Sequence, residues 1–170
     1  MPKRLILFRH AKSSWTENAE DHERPLAERG RKAAPRMGEW LARENLVPDM
    51  ALVSTARRAR ETWALAAPEL ETPVEKQDTN AIYEASATAI LDAIRQMPDQ
   101  ASTLIVVGHN PGFEDLAALL MADGGGEPGV RLREKFPTAA VAVLECPVEH
   151  WSGLQPGTCR LDRFVTPKSL

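Results

Sequence analysis

Two histidines each follow one of the most apolar short segments of the 170-residue chain. His10 lies in LILFRHAKSSW and His109 in TLIVVGHNPGF. Each apolar segment is short enough to be an interior strand, and each is followed by a turn into more polar sequence. Arg9 directly precedes His10, and a second arginine-rich turn, STARRARET, follows a third apolar segment that ends at Ser54. Imidazole is a nucleophile and guanidinium donates paired hydrogen bonds to phosphate, so these residues predict phosphoryl chemistry.

In phosphoryl transfer a protein contributes mainly positioning and electrostatic stabilisation, with little covalent chemistry. It needs a nucleophile in line with the leaving group and positive charge held beside the equatorial oxygens. A neutral imidazole such as His10 can take the phosphoryl group, and water can then hydrolyse the phosphohistidine. We expect the nearby arginines to favour the neutral form of His10 through repulsion between like charges.

Strand and helix signals alternate along nearly the whole chain. After the first strand a polar loop is expected through His22. Strands are predicted at residues 4–8, 51–54, 74–77, 103–107, 139–144 and 161–165. Apolar stripes with helical spacing are predicted in RPLAERGRKAAPRMGEWLAREN and at residues 59–66, 87–97 and 113–121. We therefore predict an α/β fold, a three-layer sandwich whose central sheet is mostly parallel with an antiparallel edge and has helices on both faces. A single domain is expected over residues 1–170.

Ligands of such sheets bind beyond the carboxyl ends of the strands. The residues expected at those ends come from three separate strands, namely Arg9, His10, Ser54, Arg58 and His109. A lone histidine is often structural, but this convergence predicts one active site.

The same motifs resemble those of the histidine phosphatase superfamily, which is phosphoglycerate mutase-like in fold. Its Arg-His-Gly motif appears here as FRHAKSS, and STARRARET, AIYEAS and GHNPG match its other motifs. More narrowly, HAKSSW, RPLAERG, IYEAS, GHNPGFEDL and FPTAAVAVLE resemble the small bacterial phosphohistidine phosphatases, which are single domains of this size. Ala11 stands where the motif has glycine, and Lys12 follows it.

This resemblance implies a role for each motif residue. His10 would be the phosphorylated nucleophile and Glu84 the proton donor, and no metal would be needed. Three side chains would hold the phosphoryl oxygens: Arg9, Arg58 and His109. Arg58 is preferred to the neighbouring Arg57 and Arg60 because it lies four residues after Ser54 and four before Thr62, as in the family. For Arg57 and Arg60 a solvated helix face is expected.

Further substrate contacts are expected from Lys12, Ser14 and Asn110. Each has an alternative interpretation, because Ser13 and Ser14 could cap a turn or helix, and Asn110 before Pro111 could shape a turn. His22 and His150 lie in polar sequence and are expected in surface or loop positions. The glycine-rich segment DGGGEPG lacks the pattern of a nucleotide-binding loop and is expected to be a flexible loop.

The expected activity is that of a cytoplasmic, cofactor-independent phosphatase that dephosphorylates phosphohistidine in proteins. Two alternatives stay open, a small-molecule phosphomonoester phosphatase and a phosphoprotein-binding module without turnover. A phosphoglycerate mutase is disfavoured because the segment between Glu84 and His109 is too short for a substrate-enclosing insertion. A metal hydrolase with the two histidines as ligands is disfavoured because carboxylates are sparse near both motifs.

Composition excludes several other classes of protein. The chain is 43% hydrophobic and 26% charged, which is typical of a soluble globular protein. Its apolar segments are too short to span a membrane, and no membrane partner is expected. Basic residues in the first part alternate with acidic ones, so nucleic-acid binding is not predicted. Cys146 and Cys159 are expected to be free thiols. The oligomeric state stays open, and a monomer is compatible with the sequence.

Overall fold

A mixed six-stranded sheet forms the centre of the computed structural model, which describes residues 2–15 and 18–170. Its strands are β1 (Lys3–Arg9), β2 (Met50–Ser54), β3 (Glu75–Thr79), β4 (Thr103–Gly108), β5 (Val141–Cys146) and β6 (Arg160–Val165). Their spatial order is β3-β2-β4-β1-β5-β6. The strands β3, β2, β4 and β1 are mutually parallel, whereas β5 is antiparallel to both β1 and β6. The predicted parallel sheet with an antiparallel edge is confirmed.

In the described part of the chain, five α-helices cover the two faces of the sheet. They are α1 (Glu28–Arg43), α2 (Arg57–Ala66), α3 (Ala87–Arg95), α4 (Gly112–Leu120) and α5 (Gly126–Glu134). Successive residues of a strand point to opposite faces. Accordingly, Leu5 and Leu7 of β1 pack with α3, α4 and α5, whereas Ile6 and Phe8 pack with α1 and α2. The predicted three layers are confirmed, and each face of the sheet has its own buried apolar cluster.

Helix α1 packs closely against the loop that follows β1. The predicted stripe of Ala34, Met37 and Leu41 is fully buried, and Trp40 is nearly so. A Cβ atom on Gly30 would lie 2.2 Å from the carbonyl oxygen of Lys12. Glycine at this position therefore lets the helix approach the loop that carries the first histidine motif.

Two regions differ from the sequence predictions. The segment expected to be a flexible loop contains the start of α5, which begins after Gly125 in the left-handed region, at φ 76°. A Cβ on Gly129 would lie 1.9 Å from the Gly124 carbonyl oxygen, so glycine is required by close packing within this helical segment. Its glycines and proline lower helix propensity, and this is why the pattern did not indicate a helix.

The second difference concerns β5, which begins two residues later than expected. Ala139 has a φ of 64° and donates its N–H to the carbonyl oxygens of both Arg9 and His10. Regular strand pairing therefore begins after this residue, and the turn before β5 is attached to the end of β1. Shifts of one or two residues also occur at other element ends. The expected polar loop includes residues 16 and 17, which lie outside the described residues.

The two cysteines lie at the end of the sheet remote from the histidines. Cys146 and Cys159 are free and buried, with their Sγ atoms 3.4 Å apart. The hydrogen bond from Cys159 and burial both raise the pKa of Cys146. Within the described residues, no helix has the length and apolar character needed to cross a membrane.

Candidate active site

Three adjacent parallel strands bring the two histidine motifs together. Strand β4 lies between β1 and β2, and Arg9 at the end of β1 pairs with Gly108 at the end of β4. The His10 N–H donates to the Gly108 carbonyl oxygen at 2.9 Å. The rings of His10 and His109 are consequently close, with centroids 5.3 Å apart. The predicted convergence of strand ends is present.

The ring of His10 is held with one nitrogen hydrogen-bonded and the other available. Its side chain is buried, and Nδ1 lies 2.8 Å from the carbonyl oxygen of Ala11. A carbonyl oxygen can only accept, so Nδ1 carries the hydrogen and Nε2 bears a lone pair. Burial lowers the pKa of His10 to about 3, with smaller contributions from His109, Arg58 and Arg9. The neutral form was expected from the arginines, but burial is the larger cause.

His109 is fixed by Ser54, the last residue of β2. His109 Nε2 and Ser54 Oγ form a hydrogen bond of 2.8 Å, and Ser54 Oγ also accepts from the Ala56 N–H at 3.2 Å. Burial, followed by the nearby Arg58 charge, lowers the pKa of His109 to about 3. Both imidazoles are therefore neutral at neutral pH.

Arg58 lies on the first turn of α2 and is almost completely buried. Its Nη1 donates to the backbone carbonyl oxygen of Asp21 at 2.7 Å. Its Nη2 donates to Glu84 Oε1 at 2.8 Å and to Asp21 Oδ2 at 3.2 Å. The guanidinium group is thus held between two carboxylates that belong to different loops.

Thr62 joins α2 to the loop after β1. Its hydroxyl donates to the Arg58 carbonyl oxygen at 2.7 Å and accepts from the Ala11 N–H at 2.9 Å. Residues four apart lie one helical turn from each other, which explains the spacing of Arg58 and Thr62. Arg57 and Arg60 point elsewhere: Arg57 pairs with Glu61 at 2.9 Å, and Arg60 donates to the Thr55 carbonyl oxygen at 2.8 Å.

Three buried nitrogen atoms of the cluster lack a hydrogen-bond partner among the described residues. They are Arg9 Nε, Arg58 Nε and His109 Nδ1. Buried polar groups are normally hydrogen-bonded, so exceptions call for an explanation. Arg9 is itself anchored by Nη1, which donates to the Phe136 carbonyl oxygen at 2.8 Å. Unpaired nitrogens on the three side chains expected to hold phosphoryl oxygens fit an oxyanion.

Glu84 lies at the edge of this cluster. Its Oε1 is 2.8 Å from Arg58 Nη2 and 3.8 Å from His109 Nδ1, and half of its side chain is exposed. Its backbone takes a left-handed conformation with φ 49°. Such conformations are costly for a residue other than glycine and are found preferentially at functional sites.

Three residues near the site were not singled out as functional by the sequence. Asp21 contacts Arg58, and the Tyr83 hydroxyl donates to Asp21 Oδ2. The Tyr83 ring is edge-on to both His109 and His22, with centroids 5.5 and 4.9 Å away. His22 lies in a short turn, as expected, yet it packs beside the site. Isolated polar residues in a loop carry no periodic signal that could have indicated this placement.

The remaining candidate substrate contacts are less centrally placed. Lys12 is exposed, and Ser14 is half-buried with its N–H donating to the Pro25 carbonyl oxygen at 2.8 Å. Ser13 Oγ accepts from Arg24 at 2.8 Å. The Asn110 side chain accepts from the Glu114 N–H at 3.0 Å, so its oxygen is engaged with the first turn of α4. Their contribution to substrate binding stays a prediction.

Comparison with known proteins identifies the family. A model described as histidine phosphatase superfamily (branch 1) matches residues 5–89. An uncharacterized protein of Mycobacterium tuberculosis (strain ATCC 25618 / H37Rv) is 38% identical over 163 residues, which cover 95% of this chain and 100% of that protein. The chain belongs to the histidine phosphatase superfamily.

Solved structures of the superfamily place it more narrowly. A protein of Nakamurella multipartitia, provisionally named phosphohistidine phosphatase SixA, has a TM-score of 0.85 and 29% identity, covering 98% of this chain and 97% of that one. The Agrobacterium tumefaciens protein with the same provisional name has a TM-score of 0.81 and 27% identity, covering 98% and 100%. The resemblance to the small bacterial branch is confirmed, and these findings support a phosphatase.

The superfamily model ends before the second histidine motif, whereas the structural likeness spans it. Among residues 2–15 and 18–170, no three histidine, cysteine or acidic side chains are grouped so that they could hold a metal ion.

Proposed function

We propose that this protein is a phosphatase that works through a phosphohistidine intermediate on His10, without a metal, and removes phosphate from phosphohistidine in proteins. Residues 1–170 act in this proposal as a single catalytic domain. The observation that carries it is the hydrogen bond from His10 Nδ1 to the Ala11 carbonyl oxygen, which leaves Nε2 free beside the unpaired donors of Arg9, Arg58 and His109.

In the first step His10 Nε2 attacks phosphorus. A new N–P bond forms as the bond between phosphorus and the leaving imidazole breaks, and that imidazole takes up a proton from solvent. The Arg9 and Arg58 guanidinium groups stabilise the negative charge on the equatorial oxygens. Because burial strongly disfavours a protonated His10, the lone pair needed for attack is present across the neutral pH range.

His109 is proposed to donate a hydrogen bond to the same phosphoryl group. Ser54 Oγ already accepts from the Ala56 N–H, and its own hydrogen is then available for the lone pair of His109 Nε2. This arrangement leaves the hydrogen of the neutral imidazole on Nδ1, the atom without a partner. In the second step water attacks phosphorus, phosphate leaves, and His10 recovers its lone pair.

Glu84 supports a second candidate, the hydrolysis of small phosphomonoesters. An alkoxide leaves poorly unless an acid protonates it. Glu84 lies at the edge of the cluster, 3.8 Å from His109 Nδ1, and in this candidate it takes up a proton and gives up its ion pair with Arg58 before it acts. An imidazole leaving group depends less on such an acid, because its own pKa is about 6.5. The same machinery can therefore act on both substrate classes, with different reliance on Glu84.

The decisive experiment traps the phosphorylated protein. The wild type is mixed with a phosphohistidine protein, a phosphohistidine peptide and p-nitrophenyl phosphate, quenched in base, and mapped by mass spectrometry. We expect an acid-labile phosphoryl group on His10. The His10→Asn variant should lose both labelling and turnover, whereas His150→Asn should retain both, since His150 is exposed and paired with Asp99 at 2.8 Å.

Two results would contradict the proposal. Labelling of another residue would remove His10 as the nucleophile. Tight binding of the phosphoprotein with no label and no released phosphate would favour the alternative of a binding module.

A further inference from the structure

Asp21 contacts more of the candidate site than any expectation from the sequence suggested. It begins the short turn Asp21–Glu23, ahead of α1. Its backbone carbonyl oxygen and its Oδ2 both accept from Arg58, at 2.7 and 3.2 Å. Its Oδ1 accepts from Arg24 Nε at 3.2 Å, and Oδ2 accepts from the Tyr83 hydroxyl. One residue thus connects the loop before α1 with α2 and with the loop that carries Glu84.

These contacts constrain the hydrogen-bonding capacity of Arg58. A guanidinium group has five N–H donors in a fixed plane. Asp21 takes one from each Nη atom, and Glu84 takes another from Nη2. The Nε–H and one N–H of Nη1 are left for a ligand. Two contacts from the same residue, one to each Nη, fix the plane of the group and therefore the direction of the donors that remain.

The charge of Asp21 is as well defined as its position. The hydrogen bond from Tyr83 is the largest cause that lowers the Asp21 pKa to about 2, and Arg58 and Arg24 act in the same direction. Asp21 consequently stays ionised over the whole range in which the enzyme would work. It compensates a buried arginine whose charge would otherwise be costly at this depth.

We propose that Asp21 is a positioning residue that orients Arg58 for phosphoryl transfer, and that Tyr83 holds Asp21 in place. The inference rests on the proposed function, because it assigns Arg58 to the phosphoryl oxygens. Asp21 touches no reacting atom in this scheme. Its effect is transmitted through the guanidinium plane, and it should be felt most where the geometry of the oxygens is most demanding, in the transition state.

The test compares Asp21→Asn with the wild type, using p-nitrophenyl phosphate for turnover and two oxyanions as probes. The asparagine keeps the size of the side chain and removes its charge. We expect kcat to fall by roughly 10- to 100-fold, the range found when a residue that orients a metal ligand is lost. KM should change much less. Inhibition by vanadate, which mimics the five-coordinate phosphorus, should weaken in parallel with kcat, whereas inhibition by inorganic phosphate should be nearly unchanged.

Two further variants separate positioning from a general structural role. Tyr83→Phe removes the hydroxyl that holds Asp21, and it should lower kcat and vanadate affinity in the same direction by a smaller factor. Glu23→Gln is the matched control, because Glu23 lies in the same turn but pairs with His22 at 2.7 Å. It should behave like the wild type. Thermal unfolding of each variant identifies any that is not folded. If Asp21→Asn does not fold, the kinetics of Tyr83→Phe still test the proposal.

The possible failures are distinguishable. If the wild type turns over no phosphorylated substrate, the proposed function fails. If the wild type is active and folded Asp21→Asn keeps its kcat and vanadate affinity, the positioning role is wrong. An increase in kcat for Asp21→Asn would also overturn it, because Asp21 would then be a competitor of the substrate for Arg58.

Discussion

Acidification below about pH 6.5 should destabilise this fold through its two buried histidines. The pKa of His10 and that of His109 are both lowered from 6.5 to about 3 in the folded protein. Between those values the unfolded chain binds a proton at each histidine and the folded chain does not. The free energy of unfolding therefore rises with pH in this window. The contribution of the two histidines to it is lost as the pH falls from about 6.5 towards about 3.

The magnitude follows from the unfolded state. At pH 5, protonation of a histidine of ordinary pKa stabilises the unfolded chain by about 2 kcal/mol, since each pH unit below the pKa is worth about 1.4 kcal/mol. A folded-state pKa near 3 offers almost no compensation at this pH. The pair should thus lower the free energy of unfolding by about 4 kcal/mol between pH 8 and pH 5. This is a large share of the total stability of a typical domain.

Urea unfolding of wild type, His10→Asn and His109→Asn at pH 8, 7, 6 and 5, followed by circular dichroism, measures the effect. Each variant should lose about half of the pH dependence, roughly 2 kcal/mol, whatever its absolute stability. If the variants at positions 10 and 109 keep the wild-type slope, the two imidazoles are not the groups held neutral by folding.

Three further outcomes test the roles of individual side chains. Glu84→Gln should reduce phosphomonoester turnover by about 10²- to 10⁴-fold, because an alkoxide needs a proton donor. Phosphohistidine turnover should fall by less, and equal losses on the two substrates in parallel assays would contradict the role of Glu84 as an acid for alkoxides. Arg58→Lys should lower kcat roughly 100-fold or more, because it removes the planar pair of donors. Arg57→Lys should leave kcat unchanged, because Arg57 is exposed and paired with Glu61. Steady-state kinetics on the same ester measure both. Gly30→Ala should cost about 1–3 kcal/mol in urea unfolding, since its Cβ would meet the Lys12 carbonyl oxygen, and an unchanged midpoint would refute that contact.

The layered sheet could be predicted because its signals are local. Short apolar segments such as that before His109 mark buried strands, and helical stripes such as that of α1 mark the faces that pack on them. The carboxyl ends of parallel strands lie along one edge of a sheet, so the convergence of Arg9, His10 and His109 could be expected from the alternation of strands and helices. The strand order itself was not predicted. Helix α5 was missed because its glycines and proline lower helix propensity, and the close packing that requires Gly129 is visible only in the structure.

The candidate site likewise has features that the sequence could indicate and features that it could not. Arg58 could be selected from three neighbouring arginines because its spacing from Ser54 and Thr62 matches the motif of the superfamily that the sequence resembles. The hydrogen-bond partners of Arg58 could not be predicted from the sequence. Asp21 and Tyr83 lie in separate loops, and no periodicity relates them to each other or to α2.

The sequence alone thus predicted which residues could take part in phosphoryl chemistry and which strands carry them, because residue type and hydrophobic period can be read along the chain. Tertiary structure decided the state in which those residues meet. It selected the free nitrogen of His10 through the Ala11 carbonyl oxygen, kept both imidazoles neutral by burial, and clamped Arg58 between Asp21 and Glu84. These properties depend on distances between segments far apart in the chain, and such distances exist only after the core has packed.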